Sequence, residues 1–381
     1  LRLHIDEARG ALRQAGIRPA STIEVTGLNG RPLGSTGEAE YSASYIHAIE
    51  TGGKRDKRTQ VAEKAVELAE AELAEHTRQL SADVKYRYVD ALAQRQKLET
   101  IERLLSVDRE SVRLMKARAE EGEIPRLDYE LLLVDVSRLE AQKIVAAART
   151  NSALVELRVL LGPDEFLTLS GELPQKTTPY SVQEAQKLAL DRSDLRVARI
   201  LEEQAAAEVA LAKAQGRPDI TLSAGYSYSS AQFDDPVRRD AAGLPLVLKD
   251  RDNALQFGIS VPLYGRARNR GSVEAALSRA AAAQLRRHQL HSVIRLEVES
   301  AWQRRQAANQ AFRLFESGVI GQSEKNLSSI RQAYDLGQVR ILDVLNEQRR
   351  LIENQMAFID AKAEATRAYY ELERAIGIEI K

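Results

Sequence analysis

The chain of 381 residues carries 55 basic and 55 acidic side chains. Its formal net charge at pH 7 is therefore +0, and we do not expect it to bind nucleic acid through a broad positive field. It contains no cysteine, which excludes disulfides, thiolate metal sites and thiol nucleophiles. With 29% charged residues and only 10 prolines, the composition is typical of long helices rather than of a compact enzyme core.

The chain begins in a helical pattern, and two predicted strands follow. Leu1 is not preceded by a methionine or an apolar signal segment, so we expect the natural protein to begin further upstream, with an export signal. A weak strand is predicted around Ile23 and Val25, and a stronger one from Tyr41 to Ile49.

Two long helices are predicted after each pair of strands, four in all. The first contains neither glycine nor proline over 68 residues, from Lys54 to Glu121, and would measure about 100 Å. Its apolar residues recur in steps of three, four and seven, which indicates coiled-coil-like packing along its length. The others are predicted for 126–161, for 272–337 and for 338–376. Gly318 and Gly321 predict a bend or a local unwinding in the third.

The chain is predicted to be a duplication, because a shift of 215 residues aligns matching residues of its two halves. The aligned pairs include Gly122 with Gly337, Leu127 with Leu342, Asp128 with Asp343, and Gly162 with Gly377. The first repeat is assigned to 1–162, with strands at about 21–50 and a helical hairpin at 54–162. A connector in the equatorial region, 163–182, leads to the second repeat, 183–381, with strands at about 219–264 and a hairpin at 266–377.

The predicted strands are amphipathic. Ile220 to Tyr228 and Leu255 to Leu263 alternate apolar residues with small polar ones, so each strand has one apolar face. Four such strands cannot close a barrel, but three protomers would supply twelve. Several tyrosines predict an aromatic belt at a membrane interface, namely Tyr41, Tyr45, Tyr226, Tyr228 and Tyr264. The alternative is a soluble, half-buried sheet, which shows the same alternation.

The order of these motifs resembles the TolC family of outer-membrane efflux proteins. The similar features are Arg217-Pro218 before a strand, Val261 to Gly265 at the end of the next strand, Ile341 to Leu345 after a helical turn, and Asp191 to Leu195. The resemblance implies a mainly α-helical homotrimer with a twelve-stranded membrane β-barrel and a periplasmic α-helical barrel. It also implies a passive conduit without cofactor, joined to a periplasmic adaptor and to an inner-membrane pump, expected to be of the resistance-nodulation-division type.

The segment Glu50 to Arg55, followed by Arg58, is similar to the branch that serves CzcC-type heavy-metal exporters. Drug or protein export remains open, as does a coiled-coil scaffold or adaptor without a membrane part. His288 and His291 could share a metal ion, but no third ligand is evident, so no metal site is predicted. No catalytic constellation is present, so we do not expect an enzyme.

The two hairpin turns are the candidate sites of gating and of adaptor contact. Gly122 and Gly337 break the helices, and Leu127 and Leu342 follow them. In relatives of the resembling family, two aspartates three residues apart narrow the periplasmic mouth. Here Asp343 matches the first of them, Asn346 replaces the second, and Asp128 is the counterpart of Asp343 in the first repeat. A ring of three Asp343 carboxylates would favour cations, whereas the alternative is that both aspartates only stabilise helix N-termini.

Overall fold

The computed structural model describes residues 2–29, 38–162, 169–175, 179–239, 241–263 and 269–378. Helices predominate and the sheet has four strands, as predicted. The chain divides into two compact units. We call residues 1–73 with 197–288 the sheet unit, and residues 74–196 with 289–381 the helical unit.

The helices agree closely with the predicted ones. They are α1 Arg2–Ala15, α2 Lys54–Glu120, α3 Arg126–Leu161, α4 Val182–Leu188, α5 Ser193–Gln215, α6 Arg270–Leu314, α7 Ile320–Asp335 and α8 Ile341–Ile376. A π-helical segment, Phe315–Val319, joins α6 to α7 and contains Gly318. The predicted interruption is therefore a local unwinding, of the kind that one extra residue in a helical turn produces.

The sheet is antiparallel throughout, in the order β1 (Thr22–Asn29), β2 (Ala39–Ile49), β3 (Ile220–Arg239) and β4 (Pro245–Ser260). β3 and β4 extend beyond the predicted strands, because Ser229 onward pairs with the segment that ends at Asp252. The prediction that β4 continues to Leu263 is wrong. Pro262 has no N–H group to donate, which disfavours continuation of the ladder.

Gly52 and Asp219 determine the backbone geometry of the turn that connects β2 to α2. Gly52 has a φ of 73°, and a Cβ there would lie 2.6 Å from Cδ of Arg217. Thr51 N–H donates to Oδ1 of Asp219 at 2.9 Å, and Nζ of Lys54 donates to the same oxygen at 2.8 Å. The Lys54 side chain is only 11% exposed, so it supports the junction and is not a solvated first-turn charge.

Arg58 joins the first turns of α2 to the end of α1. Its guanidinium donates to the carboxylate of Glu50 at 2.7 Å and to the carbonyl oxygens of Ala15 and Ile17 at 2.8 and 3.0 Å. Burial and these bonds give the segment from Glu50 to Arg58 a structural role in the sheet unit.

The described residues of the helical unit form four apolar clusters. Their largest buried side chains include Tyr369 and Leu372 in one, Leu92 and Leu173 in the second, Leu345 and Leu351 in the third, and Leu105 and Leu139 in the fourth. Arg192 closes the first cluster, with its side chain only 6% exposed. It donates to the carbonyl oxygen of Ala375 at 2.9 Å and pairs with Asp194 and Glu297 at 2.7 and 2.8 Å.

Candidate functional site

One face of the sheet is apolar and lies open. The strand register brings Ile23, Tyr45, Ala224 and Phe257 into one row across all four strands. Phe257 is 82% exposed, and its neighbours on the same face are similarly uncovered: Ile23, Val25, Leu255 and Ile259. Apolar surface of this extent is unusual on a soluble protein and indicates a binding partner or a membrane.

The other face carries small polar side chains that bond across strands. Thr26 and Ser42 share a hydrogen bond of 2.7 Å, and Gln256 donates to Oγ of Ser227 at 3.4 Å. Gly225 and Gly258 lie on this face as well. The sheet therefore has one side suited to lipid and one suited to water.

The strands are long enough to cross a membrane. From Tyr41 to Ile49, β2 rises by about 27 Å at about 3.4 Å per residue. A strand that crosses a membrane at a tilt of about 45° needs about 9–11 residues, and β2 has 11. Beyond Tyr228, β3 continues with Ser229 and Ser230, and their partners on β4 are Asp252 and Arg251, so the apolar face ends there.

The described belt tyrosines occupy three successive rows of the apolar face. Tyr41 pairs in register with Tyr228, and Tyr226 lies one row away. The hydroxyl of Tyr226 donates to Oδ1 of Asn253 at 2.5 Å, and the hydroxyl of Tyr41 accepts from Nδ2 of Asn29 at 3.3 Å.

Tyr45 lies midway between Tyr41 and Ile49, in the row of Phe257, and its hydroxyl is 2.7 Å from Oγ of Ser21. Tyr264 lies outside the described residues. Tyrosines with an apolar ring and a bonded hydroxyl suit the boundary between lipid and water, and their role as a belt stays a prediction.

Both predicted hairpin turns end a helix in the same way. Gly122 and Gly337 have φ values of 78° and 73°. After α2, Glu123 N–H donates to the carbonyl of Arg118 at 2.9 Å, and after α7, Gln338 N–H donates to the carbonyl of Ala333 at 2.8 Å. These are Schellman motifs, in which glycine adopts the left-handed conformation that other residues avoid.

Asp343 lies in the first turn of α8 and is exposed. Its Oδ2 accepts a hydrogen bond of 3.0 Å from the backbone N–H of Arg340, which is the reciprocal half of a capping box. Leu342 and Asn346 are exposed beside it. The structure therefore gives Asp343 the capping contact that the alternative interpretation expects, while its role as a gate stays a prediction.

Asp128 makes a contact that the sequence analysis missed. Its Oδ2 accepts a hydrogen bond of 2.8 Å from the hydroxyl of Tyr334, near the end of α7, so one bond joins the two hairpins close to their turns. Burial, together with this carboxylate, raises the pKa of Tyr334 well above its ordinary value. The 215-residue shift aligns Tyr334 with Ala119, so the repeat pattern does not predict this contact. Leu127, next to Asp128, is exposed.

Neither a metal centre nor a helical membrane span is found in the part of the chain that the structure describes. Within those ranges, no three His, Asp or Glu side chains are grouped so that they could hold a metal ion. None of the described helices is long and apolar enough to cross a membrane.

The family described as "Outer membrane efflux protein" matches residues 25–163 and 185–378. The chain belongs to this family. The predicted resemblance to TolC-family efflux proteins is thereby confirmed. Among its members, the "Cobalt-zinc-cadmium resistance protein CzcC" of Cupriavidus metallidurans is 23% identical over 98% of this chain and 84% of its own length. The "Outer membrane efflux protein BepC" of Brucella suis is 25% identical over 76% of this chain.

The chain spans 61% of the length of BepC. A solved structure, the outer membrane protein VceC from Vibrio cholerae, superposes with a TM-score of 0.73 over 99% of this chain and 91% of VceC, at 23% identity. This similarity confirms the predicted combination of long helices with a four-stranded sheet.

Proposed function

We propose that three copies of this chain form an exit duct in the outer membrane of a Gram-negative bacterium, as the passive last component of a tripartite efflux system. The open apolar face of the four-stranded sheet carries this proposal. Each copy would contribute four strands to a barrel of twelve, with the apolar face toward lipid and the serine, threonine and glycine face toward water. The duct is not an enzyme and carries no cofactor.

The strand order supports closure with other copies. Among the described strands, β1 and β4 each pair with a single neighbour, so both edges of the sheet have backbone groups available. In a trimer, β4 of one protomer would pair with β1 of the next. A coiled-coil scaffold without a membrane part would leave both the edges and the apolar face uncovered, which is why we favour the duct.

The proposed partners meet the duct at its hairpin turns. A periplasmic adaptor would contact the turns at Gly122 and Gly337, with the exposed Leu127 and Leu342 as apolar contacts. The adaptor would connect the duct to an inner-membrane pump, for which we propose the resistance-nodulation-division type. Three Asp343 carboxylates would form an acidic ring at the mouth, which favours cations.

Divalent heavy-metal cations are the proposed cargo. The similarity to CzcC over nearly the whole chain supports this choice, since the name of that protein refers to cobalt, zinc and cadmium resistance. BepC, with comparable identity, carries no metal in its name, so drug or protein export is the alternative. Growth of a deletion strain on metal salts and on drugs, each with plasmid rescue, distinguishes the two.

The trimer can be tested with engineered disulfides, since the chain contains no cysteine of its own. Double variants that combine Val25→Cys on β1 with Leu255→Cys, Phe257→Cys or Ile259→Cys on β4 sample the register of the predicted junction. At least one should give a covalent trimer after oxidation in detergent. A soluble monomer without detergent, or cross-linking that stops at a dimer, would refute the duct.

A control pair lies inside one sheet. Tyr45→Cys with Ala224→Cys joins residues that face each other on β2 and β3, so its disulfide should form within one chain and give a monomer band. Conductance across a planar bilayer then tests whether the trimer is a duct.

A further inference from the structure

A buried carboxylate lies within the helical unit, between two of its apolar clusters. Asp108 of α2 is 2% exposed, and Leu105 and Val112 precede and follow it on the same side of the helix. Its Oδ2 accepts a hydrogen bond of 2.6 Å from Nε2 of Gln348 on α8. Oε1 of the same amide accepts from Nη2 of Arg331 on α7 at 3.3 Å. One amide therefore connects a carboxylate of α2 with a guanidinium of α7.

A second buried acid nearby has a different environment. Asp135 of α3 is 1% exposed, and its Oδ1 receives Nε and Nη2 of Arg349 at 3.2 and 3.1 Å. Nη2 of Arg138 lies 3.1 Å from the same oxygen, whereas Oδ2 is buried without a hydrogen-bond partner. Two arginines thus compensate Asp135. No lysine or arginine among the described residues forms a salt bridge with Asp108.

The charged groups that act on Asp108 come from two other helices, namely Asp135 on α3 and Arg331 on α7. Arg138 and Arg349 contact Asp135 instead. Burial raises the pKa of Asp108, and the negative charge of Asp135 raises it further. The bond from the amide of α8 and the charge of Arg331 act in the opposite direction but do not cancel the increase.

We propose that Asp108 is a proton-binding site that makes the packing of α7 and α8 against α2 and α3 tighter in acid than at neutral pH. The proton comes from the solvent and ends on a carboxylate oxygen of Asp108. An ionised carboxylate with a single amide donor loses more hydration on burial than it regains. The neutral acid avoids this cost and still offers an oxygen to the amide of Gln348.

The direction of the effect follows from proton linkage. Because the pKa of Asp108 is higher in the folded chain than in the unfolded one, the folded chain binds more protons between these two values. The stabilisation is therefore complete below the ordinary pKa of aspartate and is lost as the pH rises through the raised pKa of Asp108. This proton site is independent of what the duct transports.

Hydrogen exchange measured by mass spectrometry tests the site in the full chain extracted in detergent. Peptides of α7 and α8 are followed from about pH 3.5, below the ordinary pKa of aspartate of about 3.9, to about pH 8, with rates corrected for intrinsic exchange. Protection around Gln348 should fall as the pH rises, by about tenfold for each unit by which the pKa is raised. Asp108→Asn should remove this dependence. Glu110→Gln, at an exposed acid on the same helix, should retain it.

A second variant keeps the test decisive if Asp108→Asn does not fold. Gln348→Met removes the amide donor, so the loss of protection should move to higher pH. An unchanged transition in Gln348→Met would overturn the proposal. Parallel pH profiles of the natural chain and Asp108→Asn would also overturn the proposal. If Asp108 only fixed the packing, its replacement would lower protection equally at every pH.

Discussion

Phe257→Arg should destabilise the inserted protein, because it places a charge in the middle of the proposed lipid-facing band. The row that contains Phe257 also contains Tyr45, midway along β2 between Tyr41 and Ile49. Arginine at the midplane of a transmembrane barrel costs about 2–4 kcal/mol, so a trimer would lose about 6–12 kcal/mol. If the sheet were soluble, the same change at a side chain that is 82% exposed would alter stability by less than about 0.5 kcal/mol.

The assay is urea-dependent folding into lipid vesicles, followed by gel mobility of the unheated trimer. Gln256→Arg is the matched control, since its side chain lies on the water-facing side of the same strand. We expect this control to fold like the natural chain and to change ion selectivity only. Equal folding of both variants, or improved solubility of Phe257→Arg without lipid, would show that the apolar face does not meet a membrane.

Three further predictions concern the helical unit. If Asp343 gates the mouth, Asp343→Ala in the trimer should increase the conductance or reduce cation selectivity. If Asp343 only caps α8, the same change should lower stability by about 0.3–1 kcal/mol, and with it the melting temperature, at unaltered conductance. Tyr334→Phe removes the bond to Asp128 and should cost about 1 kcal/mol and raise open probability in single-channel recordings; no change in either quantity would contradict the link. Arg192→Met should cost about 3 kcal/mol in denaturant titration, because it leaves buried groups without their donor, and a cost under about 1 kcal/mol would contradict that role.

The sequence predicted the long helices almost to the residue, and the reason is local. Neither glycine nor proline occurs between Lys54 and Glu121, and Gly122 then supplies the left-handed turn, so α2 ends where the composition changes. The outer parts of β3 and β4 were not predicted, because beyond Tyr228 the alternation of apolar and polar residues stops. Their pairing comes from the adjacent hairpin ladder instead.

A single sequence does not show which residues of two different helices will be in contact. Asp108 occupies a position of the apolar repeat between Leu105 and Val112, which marks a polar interruption but does not identify its partner. Gln348 lies 240 residues away, and its approach depends on how α8 is rotated against α2. The bond between Tyr334 and Asp128 has the same origin.

The π-helical segment Phe315–Val319 makes α7 sensitive to the length of the chain before it. The extra residue of a π turn rotates everything that follows by about 100° relative to an uninterrupted α-helix. Deleting one residue there would restore regular winding and turn the side of α7 that carries Tyr334 away from Asp128, although neither residue would have changed. Single-residue deletions in this segment should therefore be more damaging than substitutions, and the orientation of a hairpin turn is set about 15 residues upstream of it.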